Sequence, residues 1–171
     1  MTACADRVLE VIRHFRTCEM TTLSRAGGPA TVPVSPVLLD DGRLFLGSSI
    51  GSTRKVENIR RCPRVSMLFS DPTGSGLQDA GAVLVQGEAV AEDRIVADVA
   101  ELPELRAAVA TMFARQPSGA FMSSFVGRRL FPTFYAYVPI YVTPHRIRFW
   151  PTDDFGAEPE TLDVREVQRV G

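Results

Sequence analysis

Residues 20–48 read MTTLSR (20–25), AGG (26–28), ATVPVSPVLL (30–39), DDG (40–42) and RLFLGS (43–48). Three runs rich in β-branched and other apolar residues are separated by two short glycine-containing turns, the pattern of antiparallel strands joined by tight connections. The reading is a three-strand meander. Pro33 and Pro36 have no backbone N–H to give to a ladder. That part of the second strand therefore belongs at an edge, at a bulge, or where the backbone serves something other than a neighbouring strand.

Upstream, Val8, Val11, Ile12 and Phe15 recur at i, i+3, i+4 and i+7, one apolar face of a short helix that should lie against the sheet. Downstream, Ser52–Arg61 is helix-like, with Ser52 as N-cap and Val56 and Ile59 facing inward. A strand over Arg64–Ser70, a loop over Asp71–Gly76 and a strand over Ala82–Ala91 follow. Residues 97–115 read as a helix with Leu102, Leu105, Val109, Met112 and Phe113 as its buried stripe, and residues 117–134 as irregular or short helix. Two last strands, Tyr135–Val142 and Arg146–Trp150, are separated by Thr143-Pro144. Six or seven short strands with few helical excursions predict a mainly β (α+β) fold, a closed or nearly closed antiparallel barrel with flanking helices. It occupies residues 1–150 as one domain.

Composition bounds the function. With 171 residues, a formal charge of −1, 45% hydrophobic and 23% charged residues, the chain is an ordinary globular domain able to build a core without metal or disulfide staples. Near-zero charge argues against a nucleic-acid binder, and every apolar run is interrupted too early to span a membrane. Cys4, Cys18 and Cys62 are odd in number and widely spaced, with no secretory leader before them, which points to plain thiols in a cytoplasmic protein. Residues 151–171 hold six acids against two arginines, a net −4, and read as a solvated acidic tail. Eighteen arginines stand against one lysine, Lys55.

Side-chain chemistry is sparse. His14 and His145 are far apart in sequence and pair with no cysteine at ligand spacing, and no Gly-x-Ser-x-Gly elbow exists. Such a chain is a non-enzyme or borrows reactivity from a cofactor. The informative segment is Gly47-Ser48-Ser49-Ile50-Gly51-Ser52-Thr53-Arg54-Lys55, which joins a strand to a helix and ends on two cations. Helix N-terminal amides favour an anion, and Arg54 and Lys55 would neutralise a phosphate. Only three residues separate its glycines and Ser-Thr-Arg-Lys follows, so it is not a nucleoside-triphosphate loop. A capped surface helix with solvated cations remains open as the plainer reading.

The same segment, running on through Cys62-Pro63-Arg64-Val65-Ser66-Met67-Leu68-Phe69, resembles the Gly-Ser-Arg-Lys…Asn-Pro-Arg-Val-Ser-Leu-Leu-Phe stretch of the pyridoxamine 5′-phosphate oxidase-like split-barrel flavoproteins. Pro144-His145-Arg146-Ile147-Arg148-Phe149-Trp150 is similar to that family's Pro-x-x-Ile-Glu-Phe-Trp strand. The resemblance spans about Met20 to Trp150. It implies a homodimer of split barrels with FMN at the subunit interface, the phosphate held by Arg54 and Lys55 with Ser52, in a loop that includes Ser48, Ser49 and Thr53. Trp150 of the other subunit would contact the ring. The Val34-Ser35-Pro36 backbone would face the isoalloxazine edge; the flavin-facing glutamine that the family places five residues before the strand glycine is replaced here by Ala82, although Gln86, just before Gly87, is a candidate for that contact.

Departures narrow the expectation. The family's substrate-phosphate lysine after Val-Leu-Leu is here Asp40, and its Arg-x-His after Phe-Trp has no counterpart in Pro151-Thr152-Asp153-Asp154-Phe155-Gly156. Oxidation of pyridoxamine phosphate is therefore rejected. What remains resembles the divergent flavin- or deazaflavin-dependent oxidoreductase branch. Three readings stand: an FMN oxidoreductase acting on a small apolar or conjugated molecule; a deazaflavin enzyme, whose coenzyme's acidic tail would need a basic groove from Arg60, Arg61, Arg128 and Arg129; and a flavin or heme carrier without turnover. Tyr135, Tyr137 and Tyr141 read as core or interface, and His145 as a turn residue.

Overall fold

The computed structural model describes residues 3–115, 136–152 and 154–168. Helix α1 (Ala3–His14) precedes β1 (Cys18–Leu23), β2 (Pro29–Val34), β3 (Val37–Leu38) and β4 (Leu44–Ser49). Then come α2 (Arg54–Arg61), β5 (Arg64–Phe69), β6 (Ala82–Ala91), a 3-10 turn (Val99–Glu101), α3 (Pro103–Arg115) and β7 (Tyr137–Trp150). Strand β8 (Glu160–Leu162) and a short α4 (Val164–Gln168) complete the described elements.

All described pairings are antiparallel, in the order β2-β1-β5-β6-β7-β4-β3, with β8 added on β7. β2 and β3 lie at opposite edges of this sheet, yet only Ser35 and Pro36 separate them in sequence. Laid flat, seven strands would span about 29 Å, whereas the three peptide steps from Val34 to Val37 reach at most about 11 Å. The sheet must curl until its edges approach, and the result is a split barrel with flanking helices.

This corrects the three-strand meander. The two turns form as read: Gly27 and Gly42 take the left-handed φ values of 80° and 79° that let the chain reverse there. The middle run, however, is two strands. Pro33 sits on the edge strand β2, where a missing donor costs nothing, and the chain then crosses at Ser35-Pro36 to pair Val37 and Leu38 with β4.

Two further expectations change. The last two strands are one, β7, whose register with β6 slips between Gln86, opposite Arg146, and Gly87, opposite Pro144. A Cβ on Gly87 would lie 2.1 Å from the Thr143 carbonyl oxygen, so glycine admits this close approach. The helix expected over 97–115 begins only at Pro103, because the residue before a proline is pushed out of the helical region, and Leu102 is extended with φ −137°. The side chains of Met112 and Phe113, residues 117–134 and Tyr135 lie outside the described residues.

The core fills the barrel. Val8, Val11, Ile12 and Phe15 are all at most 3% exposed and pack with Met20, Met67, Phe69 and Phe149. A smaller cluster of Phe45, Val96, Leu102, Leu105, Ala108 and Tyr137 seats α3 on the outside of β4. Beyond Trp150 the acids Asp154, Glu158, Glu160 and Asp163 are exposed as expected, but the segment is not a free tail. β8 pairs with Ile147–Phe149, and Leu162 (8% exposed) and Val167 (4%) join the main core. Leu162→Ala should therefore lower the unfolding free energy by about 2–3 kcal/mol in a urea titration; a solvated tail would leave it within about 0.5 kcal/mol.

Candidate functional site

A cavity of about 410 Å³ opens where β2, β4, the start of α2 and α3 meet. Its walls are apolar on the α3 side, with Leu105, Ala108 and Val109 facing Leu46 and Val34. Ser49 and Ser52 accompany Lys55 at the entry to α2, and Ser35 lines the cavity directly after β2. Gly47 brings α3 close: a Cβ there would stand 2.8 Å from Leu105 Cδ1 and 3.2 Å from Tyr137 Cδ1. A second space of similar volume beside β8 is lined mostly by exposed side chains, among them Thr143, His145, Arg146 and Asp163, and lacks such walls.

The strand-to-helix loop is held from within. Ser52 N–H donates to the Ser49 carbonyl (2.8 Å), Gly51 N–H to Ser49 Oγ (3.3 Å), and the fully buried Ser48 Oγ to the Ser52 carbonyl (3.1 Å). Thr53, not Ser52, is the N-cap of α2, and its side chain makes no capping bond. The first amides of α2 are thus left for water or a ligand.

Lys55 is the single charged side chain among the described residues that line the cavity. Its Nζ donates to Ser52 Oγ at 3.4 Å, and among the described residues no carboxylate lies within ion-pair distance. Burial drives its pKa below the ordinary lysine value, since a desolvated ammonium without a counter-ion is disfavoured. An anion entering the cavity would reverse that shift.

Five of the residues expected to bind the cofactor, Val34, Ser35, Ser49, Ser52 and Lys55, come together on this cavity. Ser48 supports the loop behind it, and buried Pro36 does not line it. Thr53 and Arg54 are exposed and turned away, as helix geometry requires of a neighbour of Lys55. Gln86 and Trp150 alternate with the core residues Val85 and Phe149, so they project from the outer face of the sheet. The Trp150 Nε1–H donates to the Ala157 carbonyl (3.1 Å), and its ring lies 5.8 Å from that of Phe155. Asp40 is exposed in the β3–β4 turn, outside the cavity.

Arg60 and Arg61 are engaged elsewhere. Arg60 donates to the Glu92 carbonyl and pairs with Asp93 at 3.2 Å, while Arg61 donates to the Leu23 carbonyl and to Asn58 Oδ1. Arg128 and Arg129 lie outside the described residues. Thr17, Leu46, Ala108 and Tyr137 were not singled out as site residues by the sequence, and Leu105 and Val109 were read only as a packing stripe. Helical periodicity marks a buried face and is silent on whether it also walls a cavity. Among the described residues no three His, Cys, Asp or Glu side chains gather to hold a metal, and no helix is long and apolar enough to cross a membrane. Cys4, Cys18 and Cys62 are free thiols; burial raises the pKa of the first two, that of Cys4 to about 11.

Comparison with known proteins places this architecture. No curated protein matches the chain in sequence. Among solved structures, a heme binding protein from Mycobacterium smegmatis superposes with a TM-score of 0.64 at 16% identity, covering 99% of this chain; the chain spans only 61% of that protein. A Clostridium acetobutylicum protein of the pyridoxinephosphate oxidase family, related to general stress protein 26 of B. subtilis, gives 0.58 at 15% identity, covering 95% of this chain and 98% of that one. The heme storage protein HutZ from Vibrio cholerae gives 0.53 at 15%, covering 85% and 94%. These likenesses are of fold. The family model described as pyridoxamine 5′-phosphate oxidase matches residues 5–150, most of the barrel and every residue placed around the cavity, and the chain therefore belongs to that family.

Proposed function

We propose that the chain is an FMN-binding oxidoreductase acting on a small molecule that carries no phosphate. The observation that carries this reading is Lys55: a half-buried ammonium with no carboxylate partner among the described residues, on the hydroxyl-lined side of a cavity whose other walls are apolar. A phosphate at one end of a planar ring system is the ligand shape that satisfies both. Lys55 would neutralise the phosphate, Ser49 and Ser52 would hydrogen-bond it, and Leu46, Leu105, Ala108 and Val109 would keep water from the ring. Bound flavin supplies the hydride or electron transfer; the chain binds and orients it.

The lone cation also bears on substrate. One ammonium is available to one anionic group, so a phosphate ester entering beside FMN would find no counter-ion among the described lining residues. This supports the expectation that pyridoxamine phosphate is not the substrate and that the second molecule is small and apolar or conjugated. The deazaflavin reading is less favoured, because Arg60 and Arg61 are committed to partners. So is heme carriage, since no His, Cys or Met is among the described lining residues. A homodimer is part of the proposal: Trp150 and Gln86 project from the outer face, so they could meet a ring only across a subunit interface. Light scattering should accordingly give twice the chain mass.

Titration of apo-protein with FMN, riboflavin and 8-hydroxy-5-deazaflavin coenzyme tests the reading. FMN should bind more tightly than riboflavin, and Lys55→Ala should weaken FMN by about 1.5–3 kcal/mol while leaving riboflavin unchanged; equal affinities for the two in the native protein would exclude the phosphate site. The pH dependence has a defined sign. The free protein's Lys55 pKa is depressed and phosphate raises it, so FMN binding takes up a proton above the free value. FMN affinity should hold near neutrality and fall as pH rises below the ordinary lysine pKa. In Lys55→Arg, whose guanidinium stays charged, that alkaline fall should vanish.

A further inference from the structure

We infer that Asn58 is the positioning residue that sets Lys55 against the opposite wall of the cavity; the inference rests on the phosphate reading above. Asn58 is 4% exposed, in a helix whose mean composition is strongly polar, and it is buried together with Thr22 at 2%. Its Nδ2–H donates to Thr22 Oγ1 at 2.9 Å, and Thr22 Oγ1 donates in turn to the Ala30 carbonyl at 3.3 Å. Arg61 closes the group, donating to Asn58 Oδ1 at 3.0 Å and to the Leu23 carbonyl. No buried side-chain polar atom among the described residues lacks a partner.

The placement of this network matters more than its strength. Asn58 follows Lys55 by three positions, so the two share one face of α2, and fixing the rotation of the helix at Asn58 fixes the direction of Lys55. At the other end, Ala30 belongs to β2, the strand that runs on to Pro33 and Val34 on the cavity wall. One line of hydrogen bonds therefore ties the wall bearing the cation to the wall bearing Val34 and Ser35. The apolar neighbours Val56 and Ile59 hold α2 to the core, but such contacts tolerate small rotations and slides that a directional bond does not.

The experiment compares FMN with riboflavin, which lacks the phosphate, in the native protein and in Asn58→Ala, Thr22→Val and Thr22→Ser. Thr22→Val deletes the hydroxyl at nearly constant shape and leaves α2 untouched, which guards against a misfolded Asn58 variant. Asn58→Ala and Thr22→Val should each weaken FMN by at least about fivefold, riboflavin by less than about twofold, with Thr22→Ser restoring the native ratio. Parallel weakening of both flavins, or an unchanged ratio in either variant, would overturn the assignment and leave the network merely structural. If the native protein itself prefers neither flavin, the phosphate reading fails first and takes this inference with it.

Discussion

The structure depends on a shortage of chain. Two residues, Ser35 and Pro36, join strands at opposite edges of the sheet, and no flat arrangement lets them reach. Curling the sheet satisfies the link and creates an interior, which α1 and the inward rows of the strands fill with Phe15, Met20, Met67, Phe69 and Phe149. The prolines fit this topology. Pro33 removes a donor on an edge that has no further neighbour among the described residues, and Pro36 ends one pairing as the next begins.

The same crossing places the cavity. Where β2 leaves one edge for the other, its last residues Pro33 and Val34, with Ser35, face β4 and the entry to α2. α3, seated through Leu105 over Gly47, adds the remaining wall. The site thus lies at the seam of the barrel, and its polarity is divided between an α2 side with hydroxyls and one ammonium and an α3 side with none.

Most strands, both tight turns and the loop leading to Lys55 were legible in the sequence, because glycines, prolines and β-branched runs act over a few residues. What was not legible depends on long-range pairing. Nothing local distinguishes a run that pairs twice with its neighbours from one that changes edges at Ser35, and nothing local separates two strands from one bulged strand around His145. The site divides the same way. Lys55, Ser49 and Ser52 were found through their motif, whereas Arg54 and Thr53 belong to that motif but face water, and Tyr137 and Thr17 reach the cavity only through the fold. Leu162 escaped because a charged surrounding hides one apolar residue in a short strand.

The scarcity of lysine has a practical corollary. Lys55 is the only side-chain primary amine in the chain, and it lies in the cavity with its basicity reduced by burial. Acylating or reductively alkylating reagents, which attack the uncharged amine, would meet a single internal target apart from any terminal amino group. Among side chains, an amine-directed fluorophore or cross-linker would consequently mark this cavity alone.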